Sequence, residues 1–293
     1  MHIGTVIPQT EIGSDPDRVA TFVRTAEELG YFHVLAYDHV LGAHPDREPP
    51  LWGPYNHETT FHEPLVLFGY LAALTNTIEL TTGVMILPQR QTALVAKQAA
   101  EVDLLSRGRL RLGIGIGWNA VEYLGLGQTF TDRADRLEEQ VMLLRRLWSE
   151  PLVDFKGAWH HIDRAAVAPR PLRRIPVWFG GFSQPAFRRA ARLGDGFLVF
   201  TDPESTVGTL RNNLDRLGRD RSTFGIDIAV SFMPDDRRSW AADFERCIQL
   251  GADRITLNVL GFDLDSHNDA IEKYWSWITT NYGEVITRPS SSS

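Results

Sequence analysis

Asp38 and His39 stand side by side directly after a predicted β-strand, residues 33–37. An imidazole can transfer protons near neutral pH, and a neighbouring carboxylate can hydrogen-bond a ring N–H or fix the histidine tautomer. The pair is therefore a candidate for acid–base catalysis. The competing interpretation is an aspartate that caps the following segment, with an incidental histidine beside it.

Glycine recurs at every second position in the segment GIGIGWNA, at Gly113, Gly115 and Gly117. Alternate residues of a strand share one face, so the three glycines predict a surface without side chains, on which a planar ring could lie. The competing interpretation is that they merely fit a crowded interior.

The same segment matches the G-x-G-x-x-A pattern of dinucleotide-binding loops, with Ala120 in the last position. That pattern requires a helix that begins at once, whereas Gly125 and Gly127 argue against a helix through this point. It also requires an acidic residue at the end of a second strand, but Asp135 and Glu138 lie inside an amphipathic helical segment. The nicotinamide interpretation is therefore disfavoured.

Two other segments contain glycine at or just after the end of a predicted strand. In Thr82-Gly83-Val84, a glycine within a β-branched run indicates a bulge or a close backbone approach. Gly180-Gly181-Phe182-Ser183 precedes a predicted helix with Ser183 as its N-cap, and free amides at a helix start can hold a phosphate. Seven arginines and no acidic residue occupy residues 164–194, which fits an anionic ligand tail or simply a solvated helix face.

His57 and His62 resemble a zinc-binding pair but are five residues apart. On a helix this spacing separates two side chains by about 140°, so they could not share a metal ion. We predict no metal site.

The elements that position these residues alternate between short apolar runs and longer segments of helical period. The predicted strands are residues 2–7, 33–37, 78–84, 109–116, 176–180, 196–200, 226–232 and 254–260. The predicted helices are residues 17–29, 63–74, 93–105, 133–148, 185–193, 205–217, 240–250 and 268–279. Gly30, Gly194 and Gly251 are predicted to end helices in the left-handed conformation.

Eight βα units predict a (β/α)8 barrel, with catalytic residues where the strands end. A doubly wound sheet is the alternative. We expect a single domain over residues 1–288 and a disordered tail over 289–293. Long connections over 40–62 and 150–175 are expected to form a pocket wall or lid and an extended hairpin, respectively.

The overall charge limits the class of partner. With 30 basic and 37 acidic residues the formal net charge is −7, which argues against a nucleic-acid or anionic-membrane partner. Cys247 is the one cysteine, and the N-terminus lacks the pattern of a signal peptide. These features predict a cytoplasmic protein.

Taken together, the motifs resemble the luciferase-like monooxygenase superfamily, in particular its bacterial branch of predicted deazaflavin (coenzyme F420) oxidoreductases. The resemblance runs from about residue 3 to 260. It is carried by Asp38-His39, Thr82-Gly83-Val84, the segment LVAKQAAEVDLLSRGRLRLGIGIGWNAVEYLGLG over 94–127 and GGFSQPAFRRAARLGDGF over 180–197.

The resemblance implies a barrel that binds a reduced flavin or deazaflavin at the carboxyl ends of its strands. It implies a non-prolyl cis peptide at a strand-3 bulge, carried over to Gly83-Val84, which backs the ring. Asp38 and His39 would lie by the ring. The residues expected to contact the cofactor are Thr82, Gly83, Val84, Gly115, Gly117 and Asn119 around the ring, and Gly180, Gly181 and Ser183 at the phosphate. A homodimer is expected from the resemblance alone.

One position departs from the pattern of some deazaflavin dehydrogenases. Trp118 follows the strand-4 glycines, where those enzymes have a proton-donating carboxylate. His39 is then the predicted acid or base. We expect F420-dependent hydride transfer to or from a small, partly apolar organic substrate. The alternatives are an FMN-dependent monooxygenase using reduced flavin and dioxygen, and a flavin-binding barrel without catalysis.

Overall fold

Eight parallel strands close on themselves around a common interior, and helices cover the outside. The computed structural model describes residues 1–50, 53–262 and 266–289. Its strands are β1 (His2–Val6), β2 (His33–Ala36), β3 (Glu79–Thr82), β4 (Met85–Ile86), β5 (Leu110–Gly115), β6 (Val153–Lys156), β7 (His161–Ala165), β8 (Val177–Gly180), β9 (Gly196–Val199), β10 (Gly225–Ser231) and β11 (Arg254–Asn258). The order around the barrel is β3-β2-β1-β11-β10-β9-β8-β5, and β5 pairs with β3 to close it.

With one exception, the helices of the described residues lie where the apolar period of about 3.6 residues predicts them. They are α1 (Pro16–Leu29), α2 (Pro64–Leu74), α3 (Thr92–Leu105), α4 (Ala120–Gly125), α5 (Arg133–Ser149), α6 (Gln184–Leu193), α7 (Pro203–Arg216), α8 (Arg237–Gln249) and α9 (His267–Tyr282). In α1, for example, Val19, Phe22, Val23 and Ala26 are buried, at the spacing of one helix face. No helix in the described ranges is long and apolar enough to span a membrane.

The predicted (β/α)8 barrel is confirmed, and the doubly wound alternative is wrong. All eight predicted strands and all eight predicted helices are present, with ends that differ by at most three residues. The expected hairpin before β8 is also present, as the antiparallel pair β6 and β7. Its turn is held by the Glu139 carboxylate of α5, which accepts the amides of Ala158, Trp159 and His160.

The ninth helix, α4, was not predicted. We expected Gly125 and Gly127 to prevent a helix here, but Gly125 is the last helical residue and Gly127, at φ +68°, follows the helix end. Asn119 caps the first turn, since its side-chain oxygen accepts the Val121 amide at 3.1 Å. The glycines therefore limit the length of α4 rather than prevent it.

The helix-ending glycines follow expectation at two of three sites. Gly30 and Gly251 have left-handed φ values of 105° and 59°. Gly194 has φ −86°, so the expectation is wrong there. Close packing restricts this position, because a Cβ on Gly194 would lie 2.8 Å from the Phe179 ring.

The two chain termini lie together. The Met1 carbonyl accepts the Thr287 amide at 2.8 Å, and the Met1 amino group donates to the Val285 carbonyl at 2.8 Å. Of the predicted disordered tail, residues 290–293 lie outside the described part of the chain.

A layer of charged side chains fills the amino-terminal end of the barrel interior. The guanidinium of Arg111 is fully buried and bonds Glu79 at 2.7 Å and Asp227 at 2.9 Å. Its Cζ atom lies 4.4 Å from the centre of the Trp178 ring. Arg254 donates to Glu79 at 2.9 Å. Burial alone would raise the pKa of Glu79, but Arg254 and Arg111 lower it from 4.5 to about 2.

Substituting Arg111 with Met tests the contribution of this layer to stability. We expect the free energy of unfolding at pH 7 to fall by about 3–5 kcal/mol, because Glu79 and Asp227 lose a shared cation while staying buried. Urea denaturation followed by circular dichroism measures the change. Lys97→Met, which breaks an exposed pair with Glu101, is the matched control and should cost less than about 1 kcal/mol. Equal losses in the two variants would contradict the interpretation.

The same variant should be more sensitive to acid. Because the folded pKa of Glu79 is about 2 and its ordinary value is 4.5, its contribution is complete above pH 4.5 and is lost as the pH falls towards 2. Without Arg111 this depression is smaller and the fold is weaker, so the midpoint of acid unfolding should move to higher pH.

Candidate functional site

The carboxyl ends of the barrel strands surround an apolar floor. Partly buried side chains there pack on the inner cluster of Val6, Leu35, Trp178 and Leu198; they are Tyr37, Val84, Phe200 and Leu260. Ligands of (β/α)8 barrels bind at this end of the strands. The floor therefore marks the candidate site.

Val84 reaches the floor through a bulge between β3 and β4. Leu80 pairs with Leu110 and Met85 with Ile114, so the chain takes five residue steps where β5 takes four. The extra residue lies at the turn where the Gly83–Val84 peptide bond is cis, as the resemblance implied. Thr82 is buried, and its hydroxyl donates to the Gly113 carbonyl at 2.6 Å, so it joins the strands beneath the floor.

Glycines of two neighbouring strands make room for Val84. A Cβ on Gly115 would lie 2.6 Å from Val84 Cγ2, and one on Gly180 would lie 2.7 Å from Val84 Cγ1. The expectation of one open surface over three glycines is not met. A Cβ on Gly113 would meet the Thr82 carbonyl oxygen at 1.9 Å, and Gly117 lies beyond the end of β5 with φ +63°. Only Gly115 of the three borders Val84.

The start of α6 closely follows Gly180, which borders Val84. Gly181 adopts φ +153°, and Ser183 caps the helix by accepting the Ala186 amide at 3.4 Å, as predicted. Pro185 has no N–H and the Phe187 amide bonds the Ser183 carbonyl, so Gln184 is the first-turn residue whose amide is left to suit an anion. Gly180, Gly181 and Ser183 are therefore brought together at one helix start, as the sequence predicted.

The arginines of residues 164–194 do not all lie around the start of α6. Three of these arginines, Arg170, Arg173 and Arg174, precede β8 and so lie at the opposite end of the barrel from Gly180. They bond protein groups there, such as the Asp195 carboxylate for Arg174 and the Ser149 carbonyl for Arg170. The interpretation of this window as one patch for an anionic tail is wrong.

Asp38 is held in a buried ion pair. One carboxylate oxygen accepts from Arg90 Nη2 at 2.7 Å and the other accepts the Ile86 amide at 2.9 Å. Burial raises the pKa of Asp38, and the pairing with Arg90 opposes that effect. Arg90 also bonds Glu63 at 2.7 Å. Asp38 thus ties the end of β2 to the segment that follows the bulge, and both its oxygens are engaged.

The imidazole of His39 packs against three aromatic rings. Its centroid is 4.7 Å from that of Phe61, 5.2 Å from Tyr55 and 5.6 Å from Trp118. Its Nδ1 lies 3.3 Å from the carboxylate of Glu122. Within the described ranges no hydrogen bond involves Nε2, and the side chain keeps 12% of its surface exposed. His39 can therefore exchange a proton at Nε2.

A cavity of about 150 Å³ adjoins His39. Its walls include Tyr55, Asn56, His57 and Phe61 from the long connection after β2, together with Asn119. Pockets for drug-sized ligands span about 300–1,000 Å³, so this cavity suits a small polar group. The expectation that the connection forms a pocket wall is thus met. Residues 57–62 form a turn and irregular chain, so the helical geometry assumed for His57 and His62 does not apply.

Glu122 is the site residue that sequence reasoning missed. It is 1% exposed and belongs to the first turn of α4. Its carboxylate accepts from the amides of Val40 and Leu41 and from Gln89, and it lies 3.3 Å from His39 Nδ1. The sequence signal was an acidic residue in a short apolar segment directly after a site strand, and it went unused because that segment was not predicted to be helical.

Asn119 is brought to the same place for a different reason than expected. Its oxygen caps α4, and its amide nitrogen donates to the Leu41 carbonyl at 3.2 Å. It therefore lies between α4 and the connection after β2. It contacts the cavity beside His39 rather than the side of the glycine strand.

The family model described as luciferase-like monooxygenase matches residues 1–250. An F420-dependent glucose-6-phosphate dehydrogenase of Kineococcus radiotolerans is 30% identical over 246 residues, which cover 77% of this chain and 69% of that protein.

Solved structures share the barrel. An F420-dependent secondary alcohol dehydrogenase in complex with an F420–acetone adduct has a TM-score of 0.78 at 18% identity, covering 94% of this chain and 98% of that one. The monooxygenase RslO1 from Streptomyces bottropensis has a TM-score of 0.75 at 19% identity, covering 97% and 99%. At these identities the likeness supports the fold. The match of the family model confirms the resemblance drawn from the motifs: the chain belongs to the luciferase-like monooxygenase family.

Proposed function

We propose that this chain is an F420-dependent oxidoreductase that transfers hydride between the deazaflavin ring and a small organic substrate. The observation that carries the proposal is the position of His39 just after β2, at the strand end of the barrel that also carries the apolar floor around Val84. Among the described residues, no hydrogen bond involves its Nε2. The F420-dependent dehydrogenase that is 30% identical supports the choice of cofactor.

The floor fits a flat tricyclic ring. Its exposed surface is apolar, and the backbone of Gly115 and Gly180 flanks Val84 without side chains of its own. The helix start at Gly181 and Ser183 offers amides to a phosphate. When bound, F420 supplies the hydride chemistry; the protein supplies orientation and a proton.

The chain's own residues supply the proton and the enclosure. His39 Nε2 takes a proton from a substrate hydroxyl in oxidation and returns it in reduction. The rings of Tyr55, Phe61 and Trp118 exclude water on the remaining sides of His39. Asp38 does not touch this centre through a free oxygen, so in this proposal it holds the bulge in place.

A homodimer belongs to the same proposal. Helix α2 is apolar on all sides, and Val66 and Tyr70, one turn apart, are 70% and 40% exposed. On the adjacent α3, Leu94 is 52% exposed. A second copy of the chain is the partner that we assign to this surface, because exposed apolar patches mark interaction sites. We assign the enzyme to the cytoplasm, where the single buried thiol of Cys247 stays reduced.

Cofactor titration tests the proposal. We expect purified protein to bind F420 tightly, with a change in its fluorescence, and FMN at least about tenfold more weakly, a difference of 1.4 kcal/mol. Gly180→Ala should weaken F420 binding by a similar factor, because the added methyl group displaces Val84. Gly208→Ala, where the Cβ meets open space, is the control. Tight binding of FMN without F420 would overturn the choice of cofactor.

His39→Ala tests the proton transfer. With F420 and propan-2-ol or glucose 6-phosphate as substrate, we expect kcat to fall about 10²–10⁴-fold, the usual contribution of a general acid or base. The dissociation constant for F420 should change less than threefold, since the apolar floor is intact. Unchanged activity with unchanged affinity would remove His39 from the reaction and favour a different proton donor.

Light scattering after gel filtration tests the dimer. The chain has a mass of 33.0 kDa, and we expect twice that value for the native protein. Val66→Glu with Tyr70→Glu should yield the monomer, because burying two carboxylates in an apolar interface is unfavourable. Leu217→Glu, at a position 50% exposed outside α2 and α3, should leave the mass unchanged. A monomeric native protein would contradict the assignment.

A further inference from the structure

Glu122 meets His39 from the side opposite to Nε2, through the ring nitrogen Nδ1. Both groups are shielded: the carboxylate is 1% exposed and the imidazole 12%. The two residues come from different βα units, Glu122 from α4 and His39 from the end of β2. Their contact is therefore made by the fold and not by the local sequence.

The hydrogen-bond donors around Glu122 favour the ionised form of its carboxylate. One oxygen accepts the amides of Val40 at 2.7 Å and Leu41 at 3.1 Å, which can only donate. The other oxygen faces Gln89 Nε2 at 3.4 Å and His39 Nδ1 at 3.3 Å. Burial would raise the pKa of Glu122, but the hydrogen bonds from His39, Leu41 and Val40 outweigh it and lower the pKa below its ordinary value.

An ionised carboxylate accepts hydrogen bonds and donates none. Nδ1 of His39 must then carry the hydrogen that points at Glu122, and the lone pair of the neutral ring is left on Nε2. We infer that Glu122 is the positioning residue of the reaction: it fixes His39 in the Nδ1–H tautomer and stabilises the imidazolium that forms when Nε2 takes a proton. This inference rests on the proposed function only in assigning that proton to the substrate.

The proton and electron balance of the step is simple. In oxidation the substrate O–H bond breaks and its proton bonds to Nε2, while the C–H bond breaks with both electrons leaving as hydride to the cofactor. The substrate becomes a carbonyl compound, and the positive charge of His39 lies next to Glu122. Reduction reverses each transfer. In both directions the negative carboxylate favours the protonated ring.

Other charged and titratable groups near His39 do not replace this role. The phenol of Tyr55 touches the ring edge, and burial raises its pKa, so it stays neutral. Phe61 and Trp118 carry no charge, and His57, which lines the same cavity, packs its ring on His44. The neighbouring Asp38 is neutralised by Arg90. Among the described residues, Glu122 is the carboxylate in contact with His39.

The hydrogen bonds that orient Glu122 are supplemented by one from Asn119, the N-cap residue of α4. The amide of Asn119 bonds the Leu41 carbonyl, and Glu122 bonds the Leu41 and Val40 amides. In the connection after β2, the amides of Val40 and Leu41 thus donate to Glu122, while the Leu41 carbonyl accepts from Asn119. As a result, the carboxylate cannot turn away from His39 without breaking backbone hydrogen bonds.

The test is Glu122→Gln, followed by nitrogen-15 NMR of protein labelled in histidine, with His39→Gln identifying the signal. The glutamine oxygen can keep the amides of Val40 and Leu41, while its NH2 group faces His39 and requires Nδ1 to accept. We expect the neutral ring to change from Nδ1–H to Nε2–H, and its titration midpoint to fall by at least about one pH unit, or tenfold in proton affinity. Glu101→Gln, at an exposed ion pair, should change neither.

Kinetics gives a second measurement. In E122Q, kcat should fall about 10²–10⁴-fold, since the wrong tautomer removes the base, while KM and the F420 dissociation constant change less than threefold. Glu122→Asp keeps the charge, so its midpoint should stay closer to the native value than that of E122Q. If Glu122 only held the connection after β2 in place, both Glu122 variants would be affected alike and the tautomer of His39 would stay unchanged.

The native protein decides the matter even if the variants do not fold. A neutral His39 found as the Nε2–H tautomer in the native chain, or a midpoint equal in E122Q and native protein, would overturn the inference. The NMR measurement needs neither cofactor nor substrate. Absence of F420 turnover in the native enzyme, with the Nδ1–H tautomer present, would therefore reject the proposed function and leave the role of Glu122 standing.

Discussion

The pairing of β3 with β5 is the interaction on which the rest of the site depends. It closes the barrel, and because the pairing continues into β4 with one extra residue, it forces the chain out at Gly83–Val84. The bulge places Val84 above the inner core, where only the bare backbone of Gly115 and Gly180 leaves room for it. The pairing that closes the sheet therefore also sets the position of Val84 in the candidate site.

The periodic pattern of apolar residues was sufficient to predict the barrel, because strand and helix periods are local properties of the chain. Positions at strand ends, including His39 and the bulge at Gly83–Val84, could be predicted because a parallel barrel gathers them at one rim. The atoms that pack beside a given residue could not be predicted in this way, because they come from other segments of the chain. The strand pattern assigned Gly113 to an open face, yet the Thr82 carbonyl of the next strand occupies it. Glu122 was missed because its segment was not predicted to be helical, and its partners, at residues 39–41 and at Gln89, are distant in sequence.

The two ends of the barrel differ in content: one carries a buried layer of charged side chains, and the other carries the candidate site. The amino-terminal end holds the buried layer around Arg111, and arginines there also satisfy the carbonyl groups left free at helix ends, as Arg145 does at Leu193 and Arg211 at Leu250. The strand-end rim instead carries the apolar floor and His39. Two arginines of residues 164–194 also bond protein groups at the amino-terminal end, Arg170 the Ser149 carbonyl at the end of α5 and Arg174 the Asp195 carboxylate.

Glu122 recognises the connection after β2 through the peptide amides of Val40 and Leu41, not through their side chains. Such a contact is indifferent to which amino acids occupy those positions. Val40 and Leu41 can therefore be substituted, in evolution or in a directed-evolution library, without removing these two hydrogen bonds. Tyr55 and Phe61 differ in this respect, because their rings pack on His39 and also line the cavity.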